Sequence, residues 1–321
     1  MTPARHLRFG SSEGRAGFSE LLWHRSEWKA LGSKVSVQLL GSERQAQELI
    51  AEAHQWLYNY EQQVSRFLPY SDTSKINQQS GQKIKVGEYF LQTLQSSIWA
   101  AELTKGIVDP LIGQHLISNG YDQTFSKTKG LVSWEKVWKQ PLHLAAPNNQ
   151  TSWRQIQTGE DCATIPEGYS YDPGGVGKGW AADYLVNMLS HHSRAVLVDL
   201  GGDIAVRAGD GITPFPVDLS DPRSDEVATT AYLGTGAVAT SSCCKRIWLQ
   251  DGKPVHHLLS PADGQPIWSG LAGVSAFAPT ALEAEIRAKW TLLTGEVKHL
   301  SYGGYVYPSN PEDKVLIVRE H

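Results

Sequence analysis

Between Tyr171 and Asp203 the chain reads YDPGGVGKGWAAD, then a helical stretch, then VLVDLGGD, and this order allows few local folds. Gly174, Gly175 and Gly177 crowd together just ahead of Trp180, Ala181, Tyr184, Leu185, Met188 and Leu189. Those apolar residues recur at three and four positions, which predicts a helix running to about His191. Close-packed glycines bring backbone amides near a ligand, the helix N-terminus adds positive potential, and Lys178 adds a full charge. Together they suit a phosphate group. The segment is no Walker A loop, because Gly179 rather than Ser or Thr follows Lys178, and its spacing misses the dinucleotide fingerprint. The same glycines also suit a tight strand-to-helix turn that serves backbone geometry alone. Ala195 to Leu200 then reads as a buried strand, and Gly201 and Gly202 as a turn before Asp203.

The rest of the chain mixes helix and strand patterns without a regular βαβ beat, which predicts the α+β class. Residues 1–25 lack periodicity and are rich in Gly, Ser and Arg, so they read as a flexible leader to a domain spanning 26–321. KVSVQLL from Lys34 alternates as a half-buried strand. Ser42 and Gln45 form a capping box for a long amphipathic helix with Ala46, Leu49, Ile50, Ala53, Trp56, Leu57 and Tyr60 on one face. A second helix is expected over Glu88 to Lys105, stopped by Gly106, and another from the Thr280 and Glu283 capping box to Gly295. Between Asn119 and Glu167 only short strands and loops are expected, with a turn at Pro147 to Asn149. Strands are read in AVAT, RIWLQ and VHHLLS between Ala237 and Ser260, and in the closing GGYVY and KVLIVR. No repeat or linker divides the chain.

A chain of 321 residues that is 40% hydrophobic can bury a substantial core. Its 29 Lys and Arg against 33 Asp and Glu leave a net charge of -4, which gives no electrostatic footprint for a nucleic-acid backbone. The charged N-terminus lacks the apolar core of a signal peptide, and no segment reaches the roughly 18 apolar residues of a membrane span. Cys162, Cys243 and Cys244 supply no disulfide framework, since a bridge between the adjacent pair would be strained. No second Cys or His pair stands at zinc spacing, so Cys243 and Cys244 read as packing residues. A cytoplasmic protein without membrane insertion is expected.

The glycine-rich segment resembles the core of the ApbE family, the FAD:protein FMN transferases. The family pattern is an aspartate, a Gly-rich turn with a small residue before Lys-Gly, a helix with an early aspartate, and a strand ending in N-L-G-G-D. Here Asp172, Gly174, Gly175, Gly177, Lys178, Gly179, Asp183 and VDLGGD from Val198 stand in that order. Downstream, AVATSS from Ala237, HHLLSPADG from His256 and GVSAF from Gly273 resemble the family's A-T-S segment, its His and D-P-x-T-G turn, and its V-S-V strand. Upstream, ALGS from Ala30, SRFLPYSDTSKIN from Ser65 and GIVDPL from Gly106 resemble three further segments. The resemblance runs from about Glu27 to Gly295.

This resemblance implies one ApbE-like domain of mixed sheets with packed helices and a central ligand cleft. It implies an FAD site built from Leu31, Phe67, Val108, Asp109, Asp172, Gly174, Gly175, Lys178, Gly179, Asp183, Gly201, Gly202, Asp203, Thr240, Ser241, Ser275 and Lys289. Leu31, Phe67, Val108 and Ser260 replace the family residues at ligand-facing positions, most of them keeping an apolar surface for a flavin or adenine face. One or two of the eleven tryptophans would stack on the flavin. The resemblance also implies Mg²⁺, held by an aspartate and a threonine four residues apart in the closing helix and by a backbone group of the Gly-rich turn. Glu285 and Lys289 occupy those two positions here, with Gly175 in the turn. Glu285 still offers a carboxylate, but an ammonium cannot ligate a cation and repels it. Lys289 then either pairs with Glu285 on an exposed helix face, worth about 0.3–0.5 kcal/mol, or stands where the metal would and neutralises a pyrophosphate directly.

His257 matches the family histidine near the acceptor hydroxyl, where an imidazole serves as general base at neutral pH. His256 points to the other face of its strand, and His191 and His192 cap a helix end without a ligand role. The implied reaction is flavinylation: transfer of FMN from FAD to a Thr or Ser of an acceptor flavoprotein, with release of AMP. Hydrolysis of FAD to FMN and AMP is one alternative, and an FAD carrier or regulator without transferase activity is the other.

Overall fold

The structure, a computed structural model, describes residues 21–122, 130–148, 150 and 152–320. The first 20 residues of the expected leader, residues 123–129 and Asn149 of the expected turn lie outside that range. Strand β1, Leu22–Ala30, takes in Leu22 to Arg25, which the sequence pattern had given to the leader. It pairs in full register with β2, Ser33–Gly41. Residues alternate along β1, but the inward side carries His24 and Ser26 as well as Leu22, Trp28 and Ala30, so no clean apolar period marks it. Leu31 and Gly32 join the strands, both at positive φ (51 and 66), as a two-residue hairpin loop requires.

Helices α1 (Glu43–Val64), α2 (Asp72–Gln78), α3 (Glu88–Leu103) and α4 (Gly113–Ser118) follow, with the short strand β3 (Ile84–Lys85) between α2 and α3. The capping of α1 is one-sided. Ser42 Oγ accepts the Gln45 amide at 3.4 Å, while the Gln45 side chain donates to the carbonyl of His192. Strands β4 (Gln157–Thr158) and β5 (Cys162–Thr164) lead to α5 (Gly177–Ser190), β6 (Ala195–Leu200) and β7 (Asp203–Ala208). A hairpin of β8 (Phe215–Ser220) and β9 (Val227–Leu233) precedes β10 (Gly236–Ser242), β11 (Ile247–Gln250), β12 (Lys253–His256) and β13 (Leu271–Ala278). Helix α6 (Ala281–Thr294) and strands β14 (Gly304–Pro308) and β15 (Leu316–Val318) close the chain. Thr280 caps α6 by accepting the Glu283 amide at 3.2 Å, and Gly295, at φ 72, ends it.

The α+β class stands. Eight strands form one sheet in the order β1-β2-β6-β7-β10-β13-β14-β15, antiparallel throughout. Its two faces are covered differently. Val196, Val198, Leu200, Ala205, Ala237 and Ala239 pack with α1, α3, α5 and the start of α6. Leu197, Ile204, Val206 and Val238, the alternate residues, pack with Phe215, Val217 and Leu219 of the β8–β9 hairpin. That hairpin carries no plain sequence signal, because Pro216 interrupts its apolar run. Trp56, Tyr60, Trp180 and Tyr184 stack between α1 and α5, with Tyr89 of α3 edge-on to Trp56. Burial of these rings fixes the start of α5, and with it the glycine-rich turn, against the rest of the helical layer. Among the described residues, no helix is long and apolar enough to cross a membrane.

Candidate functional site

The glycine-rich turn begins at Asp172, whose Oδ1 accepts the Gly174 amide at 2.7 Å and closes a short 3₁₀ turn over Pro173–Gly175. The other oxygen of Asp172 pairs with Arg66 Nε at 2.6 Å, and the two side chains are 9% and 10% exposed. Arg66 also donates to the Tyr121 carbonyl at 2.6 Å and lies over the rings of Phe67 and Tyr121. It therefore ties the turn to the loop that carries Phe67. Nothing but its place beside Phe67 in the SRFLPYSD segment marks Arg66 in the sequence.

Helix α6 closes the turn from the other side with two charged residues. Glu285 is buried, and its Oε2 accepts the Gly179 amide at 2.9 Å. One turn further, Lys289 Nζ donates to the Gly175 carbonyl at 2.8 Å and the Gly174 carbonyl at 3.3 Å, and stands 3.5 Å from Glu285 Oε1. The pair is not on an exposed face: the Lys289 and Glu285 side chains are 12% and 4% exposed. Lys178, from the first turn of α5, contacts the Asp203 carboxylate and stands 3.8 Å from Glu285 Oε1. Two ammonium groups thus face two buried carboxylates. Burial works against charge on Lys178, but the attraction of Asp203 and Glu285 outweighs it and raises its pKa. Burial and the nearby charge of Glu285 raise the pKa of Asp203.

The structure sorts the remaining predicted residues. Gly175 and Val108 lie together, since a Cβ on Gly175 would stand 3.5 Å from Val108 Cγ1 and 3.6 Å from Lys289 Nζ. Gly179 serves helix packing: a Cβ there would stand 2.7 Å from the Ala281 carbonyl oxygen. With the Gly174 amide held by Asp172 and the Gly179 amide by Glu285, two amides expected to face a phosphate are engaged within the protein. Asp183 turns to α6 as well, accepting the Ala281 and Leu282 amides at 2.7 and 2.9 Å. Asp109 is buried and accepts the Leu111 amide at 2.8 Å; burial pushes its pKa up to about 6. Leu31 sits in the β1–β2 turn with its amide on Glu61 Oε1 at 3.0 Å, and Phe67 packs edge-on against Tyr121. Gly201 packs on Ser33, whereas Gly202, at φ 96, has open space where a side chain would be. Thr240 and Ser275 are register partners with hydroxyls 2.7 Å apart. They alternate with Ala239 and Val274, which join the helix-side cores, so they face the hairpin side, away from Asp203. Ser241 shares the helix side with Asp203 by the same alternation. Ser260 Oγ accepts the Ala146 amide at 3.3 Å.

His257 follows the last residue of β12, and its Nδ1 is buried without a hydrogen-bond partner among the described residues. Burial, followed by the positive charges of Arg246, Lys289 and Lys178, holds its pKa well below the ordinary value, so the imidazole is neutral at pH 7. Sequence reasoning passed over Arg246, which also reaches the Tyr121 hydroxyl at 3.4 Å. His256 serves other partners, with Nε2 on the Ile267 carbonyl at 2.7 Å and its ring edge-on to Trp268. Cys243 and Cys244 are free, buried and packed in the core beside α6.

Residues 31–303 match the profile of the ApbE family. The chain belongs to the ApbE family. An FAD:protein FMN transferase of Treponema pallidum is 26% identical over 310 residues, covering 90% of this chain and 83% of that protein. One of Salmonella typhimurium is 30% identical over 163 residues, so the match spans about half of each chain, 46% in both cases. The crystal structure of the ApbE protein of Thermotoga maritima superposes with a TM-score of 0.77 at 21% identity, covering 92% of this chain and 97% of that one.

For the ApbE family the resemblance implied a Mg²⁺ ion at Glu285, the residue at position 289 and the Gly175 backbone. The residues present do not fit one. The Gly175 carbonyl, Gly174 carbonyl and Glu285 carboxylate are turned to the Lys289 ammonium, and no three His, Cys, Asp or Glu among the described residues form a metal-binding group. A divalent cation there would meet a fixed positive charge instead of a ligand.

Proposed function

We propose that this chain binds FAD with the pyrophosphate against the turn from Gly174 to Lys178, and moves the FMN half to a Ser or Thr hydroxyl of an acceptor flavoprotein. The observation that carries this reading is that the buried His257 ring stands 6.4 Å from the ring of Tyr121, which meets both Arg246 and the Arg66 that is paired with Asp172 of the glycine-rich turn, while Lys289 is held on the turn itself. A neutral imidazole is able to take the hydroxyl proton at pH 7. The hydroxyl oxygen then bonds to the FMN-side phosphorus, the bond from that phosphorus to the AMP oxygen breaks, and AMP leaves. Fixed positive charge near the pyrophosphate favours that step, because negative charge builds on the phosphoryl oxygens and the leaving group. Family membership and the relatives named FAD:protein FMN transferase support the same reading.

Incubation of the purified protein with FAD and a candidate acceptor domain tests the proposal. Flavin fluorescence on the denatured acceptor, with AMP released in equal amount, is the expected result. Free FMN without labelled acceptor would indicate hydrolysis, and bound but unchanged FAD would indicate a carrier. The three free cysteines support a reducing, cytoplasmic setting, which cell fractionation tests. We assign the domain to residues 26–321, extended by the first residues of β1.

A further inference from the structure

We propose that Lys289 is a built-in counter-ion which takes the place of a divalent metal, so that this chain binds its flavin dinucleotide without Mg²⁺. The inference rests on the FAD reading given above for the ligand, and on three observations of its own for the ion. First, Lys289 Nζ is anchored by three oxygens: the Gly175 carbonyl at 2.8 Å, the Gly174 carbonyl at 3.3 Å and Glu285 Oε1 at 3.5 Å. Carbonyl and carboxylate oxygens are the donors a hard cation takes, and here all three are turned to an ammonium. Second, Lys289 is one of two ammonium groups, with Lys178, that face two buried carboxylates, Asp203 and Glu285. Adding a divalent ion would bring two more positive charges to a setting that already holds two ammonium groups, whereas removing the Lys289 charge would leave Glu285 without one of its two cationic neighbours. Third, the ammonium is held at the glycine-rich turn itself: a Cβ on Gly175 would stand 3.6 Å from Nζ. A phosphate resting on that turn therefore meets a charge that the chain carries with it.

Two predictions follow from the place of the ammonium. The wild-type chain has no tight site for a divalent ion, and its affinity for FAD is indifferent to one. A Lys289→Thr chain keeps the three oxygen donors, gains a hydroxyl and loses the repelling ammonium, so it acquires such a site.

The test uses Mn²⁺ as probe, followed by its electron paramagnetic resonance signal, on wild type, Lys289→Thr and Lys289→Met. In parallel, FAD binding is measured by flavin fluorescence with EDTA and with Mg²⁺. Expected are no stoichiometric Mn²⁺ site in wild type, one in Lys289→Thr, and wild-type FAD affinity that changes less than twofold between EDTA and Mg²⁺. For Lys289→Thr, FAD affinity falls at least tenfold in EDTA and recovers with Mg²⁺, while in Lys289→Met it falls without recovering. A stoichiometric Mn²⁺ site in wild type, or a tenfold gain in its FAD affinity with Mg²⁺, overturns the proposal. The wild-type measurements decide this even if both variants fail to fold. Absence of FAD binding in every arm would overturn the FAD reading, and the Mn²⁺ signal would still decide the question of the ion.

Discussion

Asp183 of helix α5 holds Ala281 at the start of helix α6: its Oδ1 accepts the Ala281 amide at 2.7 Å, and its Oδ2 accepts the next amide, from Leu282, at 2.9 Å. The family pattern placed this carboxylate at the ligand, but its two bonds lock the helix that delivers Glu285 and Lys289. Burial pushes its pKa up to about 6. Replacing Asp183 by Ala leaves two amides of α6 unpaired and is expected to cost about 1–3 kcal/mol of stability. Urea denaturation measures this. Unchanged stability together with lost FAD binding would return Asp183 to the ligand site.

Arg66 and Asp172 form a largely buried ion pair, and its loss strands the carboxylate beside the glycine-rich turn. Arg66→Ala is expected to lower stability by about 3–5 kcal/mol, the usual cost of an uncompensated buried charge. Arg66→Lys recovers only part of that, because an ammonium cannot reproduce the contacts of the guanidinium with both Asp172 and the Tyr121 carbonyl. Denaturation midpoints of the two variants, compared with wild type, settle the order.

In the proposed transfer His257 acts in its neutral form, since burial and neighbouring cations hold its pKa well below the ordinary value. The acid limb of the transfer rate therefore lies lower than for a free imidazole. At pH 6 a base of pKa about 6.5 would have lost about three-quarters of its active form, whereas this chain is expected to keep most of its rate. His257→Asn should lower turnover by roughly 10²–10⁴-fold while FAD affinity changes little. Initial rates from pH 5 to 8, with FAD binding measured alongside, check both statements.

His256 gives a prediction about stability rather than rate. Burial lowers its folded pKa to about 4, so below pH 6.5 the unfolded chain takes up a proton that the folded chain refuses. Its contribution is thus present above pH 6.5 and is lost as pH falls. Relative to His256→Asn, wild type is expected to lose about 2 kcal/mol between pH 7 and pH 5. Paired urea curves at the two pH values measure the difference, and a constant gap would show that His256 is not the titrating group.

Much of the fold was legible along the chain because its signals are local. The Ser42 and Thr280 caps, the apolar faces of α1 and α5, the stop at Gly295 and the buried strand Ala195–Leu200 each follow from periodicity within about twenty residues. β1 was hidden by His24 and Ser26 on its inward face, and the β8–β9 hairpin by Pro216.

At the site, the sequence by itself determined that a glycine-rich turn, a lysine and a helix start stand together, and that Lys289 occupies a position where a metal ligand was implied. Only the tertiary structure decided what these groups do. It gave the Gly179 amide to Glu285, turned Asp183 to the start of α6, set Thr240 and Ser275 on the opposite side of the sheet from Asp203, and brought Arg66 to the turn and Arg246 to Tyr121. Gly179 and Glu285 lie 106 positions apart, and Lys289 lies 114 from Gly175. A residue's partners across such distances are set by how α5 and α6 pack on one sheet, and no pattern of neighbours along the chain carries that information.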